Sequence, residues 1–240
     1  MSKLNGKRVV ILGGTSGIGF ATAKAAAAAG AKVVVTSSTR DRVKCAVEAL
    51  GASATGEVAD LTIESETHAL FERIGSFDHL VFTAGESLIL GKLAELDLTT
   101  ARKAFELRFF GALAAVKHAA PRIRQGGSIV LTLGVAKDRP QSGWTVGASI
   151  CGAMDALTRA LAVELAPIRV NAVSPGFVRT PLWGNIAEDA REAMFREVGA
   201  RLPVGHVGEP DQLAEAYLFF MQNEFSTGQA VTVDGGGVLV

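Results

Sequence analysis

The feature that most restricts the fold of this chain is a regular alternation of short apolar runs with stretches of helical composition. The apolar runs contain few polar residues, so both faces of each strand are expected to be buried, as in a parallel sheet. Strands are predicted at residues 8–12, 32–36, 54–58, 79–83, 128–133, 169–173 and 229–233. Helices are predicted at residues 17–29, 41–50, 64–75, 99–124, 149–166 and 211–222. We therefore predict an α/β fold: a single-domain doubly wound parallel sheet (Rossmann-like) over residues 1–240, with helices on both faces.

Charge and cysteine content exclude several classes of partner. The 24 basic and 24 acidic residues cancel, so no overall positive field attracts nucleic acid or an anionic membrane. Cys45 and Cys151 show no metal-ligand spacing or disulfide framework, which favours a reducing, cytoplasmic location and no metal. Residues 1–8 lack the apolar stretch of a signal peptide, and the longest uncharged run, 140–154, is too short to span a membrane. The expected partner is a small molecule.

A glycine-rich turn joins the first predicted strand to the first predicted helix. Its pattern is Gly-x-x-x-Gly-x-Gly, and Thr22 occupies the place of the third glycine in the usual dinucleotide fingerprint. A diphosphate can approach such a turn because no side chain blocks it, and the helix N-terminus offers unpaired N–H groups and a favourable dipole. The turn therefore predicts dinucleotide contacts at Gly13, Thr15, Ser16, Gly17, Ile18 and Gly19.

With this turn, the chain resembles the short-chain dehydrogenase/reductase family over nearly its whole length. The shared motifs are Asp60, Ala84-Gly85, the run 169–176, Thr180, Gly228 and the triplet 234–236. The resemblance implies an oxidoreductase in which the aspartate contacts adenine and the segment after the sixth strand holds the nicotinamide amide. It also implies a homodimer or homotetramer assembled through the long helices. The implied cofactor contacts are Asp60, Leu61, Ala84, Gly85, Pro175, Gly176, Val178 and Thr180.

The end of the second strand indicates which dinucleotide is bound. NAD-binding folds usually place a carboxylate there for the ribose 2′-hydroxyl, but residues 36–40 contain none. Hydroxyl donors and one guanidinium suit a 2′-phosphate, so NADP(H) is the expected cofactor, with Ser16 as a further donor. In the alternative interpretation, Thr39 only caps the next helix and Arg40 is only solvated. The predicted 2′-phosphate contacts are Ser37, Ser38, Thr39 and Arg40.

The resemblance ends at the catalytic residues. The family uses Asn, Ser, Tyr and Lys; the tyrosine gives a proton to the carbonyl oxygen and the lysine lowers the pKa of that tyrosine. Tyr217 is the sole tyrosine here, and no lysine follows Lys137, so a Tyr-x-x-x-Lys motif cannot be present. Counting along the matching segments places the four family positions at Arg108, Gly134, Gly147 and Cys151. Loss of a positioned acid slows a reaction by about 10²–10⁴, but the cofactor itself carries the hydride.

Arg108 and Cys151 are the candidate catalytic residues. Cys151 could donate a proton or act as a redox group, or it could be a small buried apolar residue. Arg108 could stabilise a developing oxyanion, or it could pair with Glu106 or another carboxylate. Two loops at the same sheet edge offer acid–base candidates that could equally be solvated: Lys137, Asp138 and Glu86.

Residues 182–203 interrupt the strand–helix rhythm and carry Trp183, Met194 and Phe195. We interpret a segment at about 181–205 as a flap over the substrate, the alternative being an extra packing helix.

Two functions fit these observations. The first is an atypical NADP(H)-dependent oxidoreductase that transfers hydride to a small carbonyl, quinone or activated alkene, whose product anion is delocalised and needs no strong acid. Gly134 and Gly147 would open space for a planar ring. The second is a catalytically inactive NADP(H)-binding protein that acts as a redox sensor or partner subunit, because all four catalytic positions are changed while the cofactor motifs stand.

Overall fold

The computed structural model describes residues 2–85 and 88–240, and these residues form one sheet of seven parallel strands. The strand order is β3-β2-β1-β4-β5-β6-β7, so the chain winds outwards in both directions from the β1–β4 pair. This order confirms the predicted doubly wound fold and makes the carboxyl edge beside β1 and β4 its switch point. The strands are β1 Arg8–Leu12, β2 Lys32–Ser37, β3 Ala54–Val58, β4 Phe77–Phe82, β5 Ile123–Thr132, β6 Arg169–Pro175 and β7 Ala230–Val233.

Helices cover both faces of the sheet. Alternate residues of β1 show this directly, since Val10 and Leu12 belong to one buried core whereas Val9 and Ile11 belong to the other. The period of two is the one expected for a strand with two buried faces. The helices are α1 Gly17–Ala28, α2 Arg40–Leu50, α3 Glu64–Ile74, α4 Leu98–Phe105, α5 Ala112–Ala119, α6 Thr145–Glu164, α7 Glu188–Arg201 and α8 Pro210–Gln222.

The long helix predicted at 99–124 was wrong in two respects. A π-helical turn, Glu106–Gly111, separates α4 from α5, and the chain leaves the helix to begin β5 at Ile123. Gly111 explains part of this path, because a Cβ there would lie 2.9 Å from the carbonyl oxygen of Leu61. Pro121 then prevents the helix from continuing. The π-helical turn carries Arg108.

Helix α6 begins four residues earlier than the predicted 149–166, at Thr145. The sequence prediction placed the start after Gly147, because glycine is a poor helix former. By length and composition alone, α6 is the one helix of the described chain that could cross a membrane. In the fold it packs on β5 and β6, with Met154 buried and an Asp155–Arg159 ion pair of 2.7 Å at its surface.

The segment around 181–205 contains a short turn, Pro181–Trp183, followed by α7. It builds a third hydrophobic cluster, separate from the two sheet cores, in which Trp183, Phe195 and Val207 are buried. Half-buried residues from two other parts of the chain pack on it, Leu88 from the loop after β4 and Phe177 from the loop after β6. The segment is therefore attached to the carboxyl edge of the sheet; its function as a flap stays a prediction.

Candidate active site

The glycine turn packs tightly against the end of β4. Gly13 has φ +82°, and a Cβ there would lie 2.6 Å from the amide nitrogen of Ala84. A Cβ on Gly19 would lie 2.3 Å from the carbonyl oxygen of Gly13 and 2.4 Å from Oγ1 of Thr83. Thr83 holds the two segments together, since its hydroxyl donates to the carbonyl oxygen of Leu12 at 3.0 Å. No side chain fits at either glycine, so the backbone is left bare, as a dinucleotide cradle requires.

The start of α1 is polar, and its N-cap side chain does not bond to the first amide groups of the helix. Ser16 is the N-cap residue, in an extended conformation, and its side chain makes no capping hydrogen bond to the described residues. The side chain of Thr180 approaches from the loop after β6, with its Cβ 3.3 Å from where a Cβ on Gly17 would lie. The two loops predicted to hold the cofactor therefore meet at a helix N-terminus, where an anion is stabilised by N–H groups and the helix dipole.

The end of β2 presents exposed donors. Ser38, Thr39 and Arg40 are exposed, and Ser37 is half-buried at the last position of the strand. Thr39 is the N-cap residue of α2, yet its side chain makes no cap hydrogen bond within the described structure. The hydrogen bond that the alternative interpretation requires, from the Thr39 side chain to the start of α2, is therefore not formed.

Asp60 is held in a fixed orientation just after β3. Its Oδ1 accepts from the amide and the hydroxyl of Thr62 at 2.9 and 2.7 Å, and its own amide donates to Glu66 Oε2 at 2.8 Å. Leu61, the next predicted contact, is buried. The structure places the aspartate at the carboxyl edge, where the family resemblance puts it.

The motifs after β6 and β7 interlock. A Cβ on Gly176 would lie 2.6 Å from the Cβ of Asp234, and the Gly176 amide donates to the carbonyl oxygen of Val233 at 3.0 Å. The Asp234 carboxylate accepts from the amides of Gly236 and Val238 at 2.9 and 2.8 Å. These contacts fix the start of the loop that carries Val178 and Thr180, the predicted nicotinamide contacts.

Three of the four family catalytic positions, Arg108, Gly134 and Cys151, lie within contact distance of other residues at the carboxyl edge. A Cβ on Gly134 would lie 3.1 Å from Sγ of Cys151, so the serine and lysine positions are adjacent. Around Gly147, apart from its own helix and chain neighbours, no heavy atom in the described ranges lies within 4 Å of where a Cβ would be. The guanidinium of Arg108 lies against Gly85, whose Cβ would be 3.1 Å from it, and it is engaged in further interactions. The tyrosine position is thus open space beside a thiol.

Charges of both signs act on the Cys151 thiol. Burial raises the pKa of this thiol to about 11 and the negative charge of Asp138 adds to the shift, whereas the positive charges of Arg108 and Lys137 oppose it. At neutral pH the thiol is therefore protonated, which disfavours a thiolate nucleophile and favours the interpretation of a small buried residue. Lys137 pairs with Asp138 through Nζ–Oδ distances of 2.7 and 2.8 Å. Glu86, another candidate, lies outside the described residues.

Tyr217 is far from this chemistry. It is fully buried in α8 within the core on the other face of the sheet from α6. The Thr132 hydroxyl donates to the carbonyl oxygen of Phe82, so the Tyr217 hydroxyl donates to Thr132 at 2.7 Å. Burial raises the pKa of Tyr217. This tyrosine is a core residue and cannot replace the family acid.

Sequence reasoning missed an aromatic stack that begins at Trp144, and an arginine that packs on its last ring. Ring centroids lie 5.8 Å apart for Trp144 and Phe177, 5.0 Å for Phe177 and Trp183, and 6.4 Å for Trp183 and Phe195. The guanidinium of Arg179 covers Phe195 at 4.6 Å. One signal was available, because Trp144 precedes Gly147 by three residues and such residues share a helix face.

The chain matches one family model and known relatives along nearly its whole length. A family model described as Enoyl-(Acyl carrier protein) reductase matches residues 13–237. The short-chain dehydrogenase/reductase ATR9 of Stachybotrys chlorohalonatus is 39% identical over 259 aligned residues, covering 100% of both chains. The short-chain dehydrogenase/reductase fsr5 of Gibberella fujikuroi is 34% identical over 257 residues, covering 100% of this chain and 97% of the relative.

Two solved structures are similar over nearly the whole chain. One is a small-chain dehydrogenase in complex with NADPH, with TM-score 0.84 and 38% identity over 98% of this chain and 100% of the other. The second is the MalC reductase/Diels-Alderase of Malbranchea aurantiaca, with TM-score 0.91 and 30% identity over 99% and 98% of the two chains.

Proposed function

The chain belongs to the short-chain dehydrogenase/reductase family and is an oxidoreductase of that type, and from this premise we propose that it transfers hydride from NADPH to a small carbonyl, quinone or activated alkene without a tyrosine–lysine acid. The observation that carries the proposal is the bare glycine cradle beside open space at Gly147. When bound, the dinucleotide supplies the hydride, and that chemistry is its own. The protein supplies position and charge.

The choice of NADP(H) is supported by the end of β2. Ser38, Thr39 and Arg40 are exposed there, and no carboxylate precedes Asp41 to repel a 2′-phosphate. Charge-assisted hydrogen bonds from a guanidinium suit that group. The similar dehydrogenase solved with NADPH supports the same choice.

The proton requirement restricts the substrate. At the tyrosine and lysine positions this chain has Gly147 and Cys151, and the raised thiol pKa of about 11 makes Cys151 a weak acid. In a quinone or an alkene conjugated with a carbonyl, the negative charge left by hydride addition is delocalised, so water can supply the proton; in an α-diketone the neighbouring carbonyl lowers the basicity of the alkoxide inductively. The positive charge of Arg108, which acts on the Cys151 thiol, is placed to stabilise a developing oxyanion, whereas that of Lys137 is paired with Asp138. The substrate gains one hydride and one proton.

The remaining expectations follow from this function. The segment 181–205 is proposed to close over the substrate. A homodimer or homotetramer is proposed because apolar side chains are exposed on the helices through which relatives assemble, including Leu98, Phe110, Leu113 and Val163. Light scattering of the purified protein would report that mass. A cytoplasmic location remains an expectation from the cysteine content, and the absence of a nucleic-acid or membrane partner remains an expectation from the zero net charge.

The alternative is a catalytically inactive NADP(H)-binding protein. It is favoured by one observation, that the family positions 134 and 147 carry no functional side chain at all. Both functions predict NADPH binding, and they differ in turnover.

The test of the proposed function is NADPH oxidation with menadione, diacetyl and a cyclic enone, for the wild type and for Arg108→Met. We expect turnover above the protein-free rate, lowered about 10²-fold in the variant if the guanidinium stabilises the oxyanion. Arg159→Met is the matched control, since Arg159 is exposed and paired with Asp155 at the surface of α6. Tight NADPH binding without turnover of any of these compounds would favour the inactive alternative.

A further inference from the structure

Both tryptophans of this chain, Trp144 and Trp183, belong to the aromatic stack beside the candidate site. The stack starts on the first turn of α6, continues through Phe177 in the loop after β6, and ends at Phe195 on α7. It therefore joins three elements that border the carboxyl edge of the sheet.

The outer end of the stack lies next to the open space. Trp144 is the N-cap residue of α6, and Gly147 follows it by three residues on the same side of the helix. Phe177 comes directly after Gly176, in the loop proposed to hold the nicotinamide. Trp144 and Phe177 are both half-buried. One turn after Gly147 along α6, Sγ of Cys151 lies 3.1 Å from where a Cβ on Gly134 would be.

The rings of Trp144 and Phe177 form an aromatic wall, and the inner end of the stack holds this wall in place. Trp183 is buried, and its indole N–H donates to the carbonyl oxygen of Val178 at 3.0 Å. Its ring lies parallel to that of Phe177, with an interplanar angle of 7°. A wall supported from behind in this way loses little conformational freedom when a ligand packs on it.

Apolar and charged side chains both border the carboxyl edge here. The rings of Trp144 and Phe177 pack on each other, whereas the guanidinium of Arg108 lies against Gly85 and its positive charge acts on the Cys151 thiol. A ligand that fits both is flat and apolar, with an oxygen at one end that becomes negative on reduction.

Resting on the function proposed above, we propose that Trp144 is a specificity-determining residue which, with Phe177, selects substrates whose reducible carbonyl or alkene is part of a planar, conjugated ring. Aromatic rings prefer offset-stacked or edge-to-face contacts, which a flat ring makes and a short aliphatic chain does not. The glycine at 147 leaves the room that such a ring requires.

The kinetic test compares menadione with diacetyl, a planar bicyclic quinone and an aliphatic diketone. In Trp144→Ala we expect the ratio of the menadione KM to the diacetyl KM to rise about tenfold, and in Trp144→Phe about threefold at most, as one aromatic contact allows. Phe225→Ala is the matched control, because Phe225 is fully exposed. An unchanged KM ratio in Trp144→Ala overturns the proposal.

A binding test separates this proposal from the proposed function. Trp183→Phe leaves Trp144 as the sole tryptophan, and Trp144→Phe leaves Trp183. With NADP⁺ present to prevent turnover, menadione should quench the Trp144-only protein saturably and the Trp183-only protein much less. If both proteins bind NADP⁺ but show the same linear quenching, the aromatic wall is refuted and the oxidoreductase function survives. If neither variant nor the wild type binds NADP⁺, both proposals fail.

Discussion

Restoring the family acid should convert this protein into a reductase of simple ketones. The double variant Gly147→Tyr with Cys151→Lys places both groups four residues apart on one face of α6. Gly147 accepts the change, because no atom of the described residues beyond its own helix and chain neighbours lies within 4 Å of its Cβ position. Replacing this glycine in the first turn of α6 should also stabilise the helix, by about 0.5 kcal/mol at most.

The expected gain follows from the worth of a positioned acid. General acid catalysis contributes about 10²–10⁴ in rate, or roughly 3–5 kcal/mol of activation free energy. A lysine ammonium at position 151 lowers the pKa of the adjacent phenol and keeps it near working pH. We therefore expect kcat/KM for cyclohexanone to rise by about 10²-fold or more. Turnover of menadione should fall, because the new ring fills the space that now admits it.

The assay is the initial rate of NADPH oxidation with each substrate, beside the NADPH dissociation constant. Gly147→Phe with Cys151→Met is the matched control, because it adds similar volume without ionisable groups. It should lose menadione turnover and gain no ketone turnover. If the tyrosine–lysine variant binds NADPH normally and reduces cyclohexanone no faster than the control, these two positions do not face the reacting carbon and the account of the site is wrong.

Three further predictions concern cofactor choice, the flap and pH. Arg40→Ala should weaken NADPH binding by about tenfold or more and leave NADH binding unchanged, as titration of both would show, since a charge-assisted hydrogen bond contributes about 1.5–3 kcal/mol. Arg179 pairs with both oxygens of Glu192 on α7, at 2.8 and 2.6 Å. Arg179→Ala should therefore raise the substrate KM and speed proteolysis within α7, and Arg179→Lys should restore part of both. Burial lowers the pKa of His79 to about 4, from an ordinary 6.5. The free energy of unfolding should therefore fall by about 3 kcal/mol as the pH is lowered from about 6.5 towards 4. Denaturant unfolding at both ends of this range would measure the loss, and His79→Gln should flatten the pH dependence.

The sheet and the glycine turn could be predicted because their signals are local. A β-branched run followed by Gly13, Gly17 and Gly19 needs no distant contact to be recognised as a strand, a turn and a helix start. The interruption of the helix predicted at 99–124 depends on a contact that sequence does not show, the approach of Gly111 to the carbonyl oxygen of Leu61. Its early end follows from Pro121, a local signal that the prediction overlooked. Tertiary structure decided where that helix is interrupted.

The part of the candidate site that could be predicted consists of residues found by counting along segments that match the family. Counting residues assigned Gly134 to the serine position of the family and Cys151 to its lysine position. In the structure the two residues are neighbours, because a Cβ on Gly134 would lie 3.1 Å from Sγ of Cys151. The stack from Trp144 to Phe195 could not be predicted, because its members come from α6, the loop after β6 and α7. Which rings meet depends on how these elements pack, and helical spacing alone indicated only that Trp144 and Gly147 share a face.

The central claim is that hydride reaches the substrate without the tyrosine–lysine acid, and isotope transfer tests it most directly. NADPH deuterated at its transferring carbon would be incubated with the wild-type protein and a cyclic enone, in which the new C–H bond does not exchange with water. The account predicts deuterium on the product carbon by mass spectrometry, at a rate well above the protein-free control, and an unlabelled proton from solvent. Product without deuterium would contradict direct hydride transfer. No product from the enone, menadione or diacetyl, despite saturated NADPH binding, would contradict the oxidoreductase assignment in favour of a cofactor-binding protein.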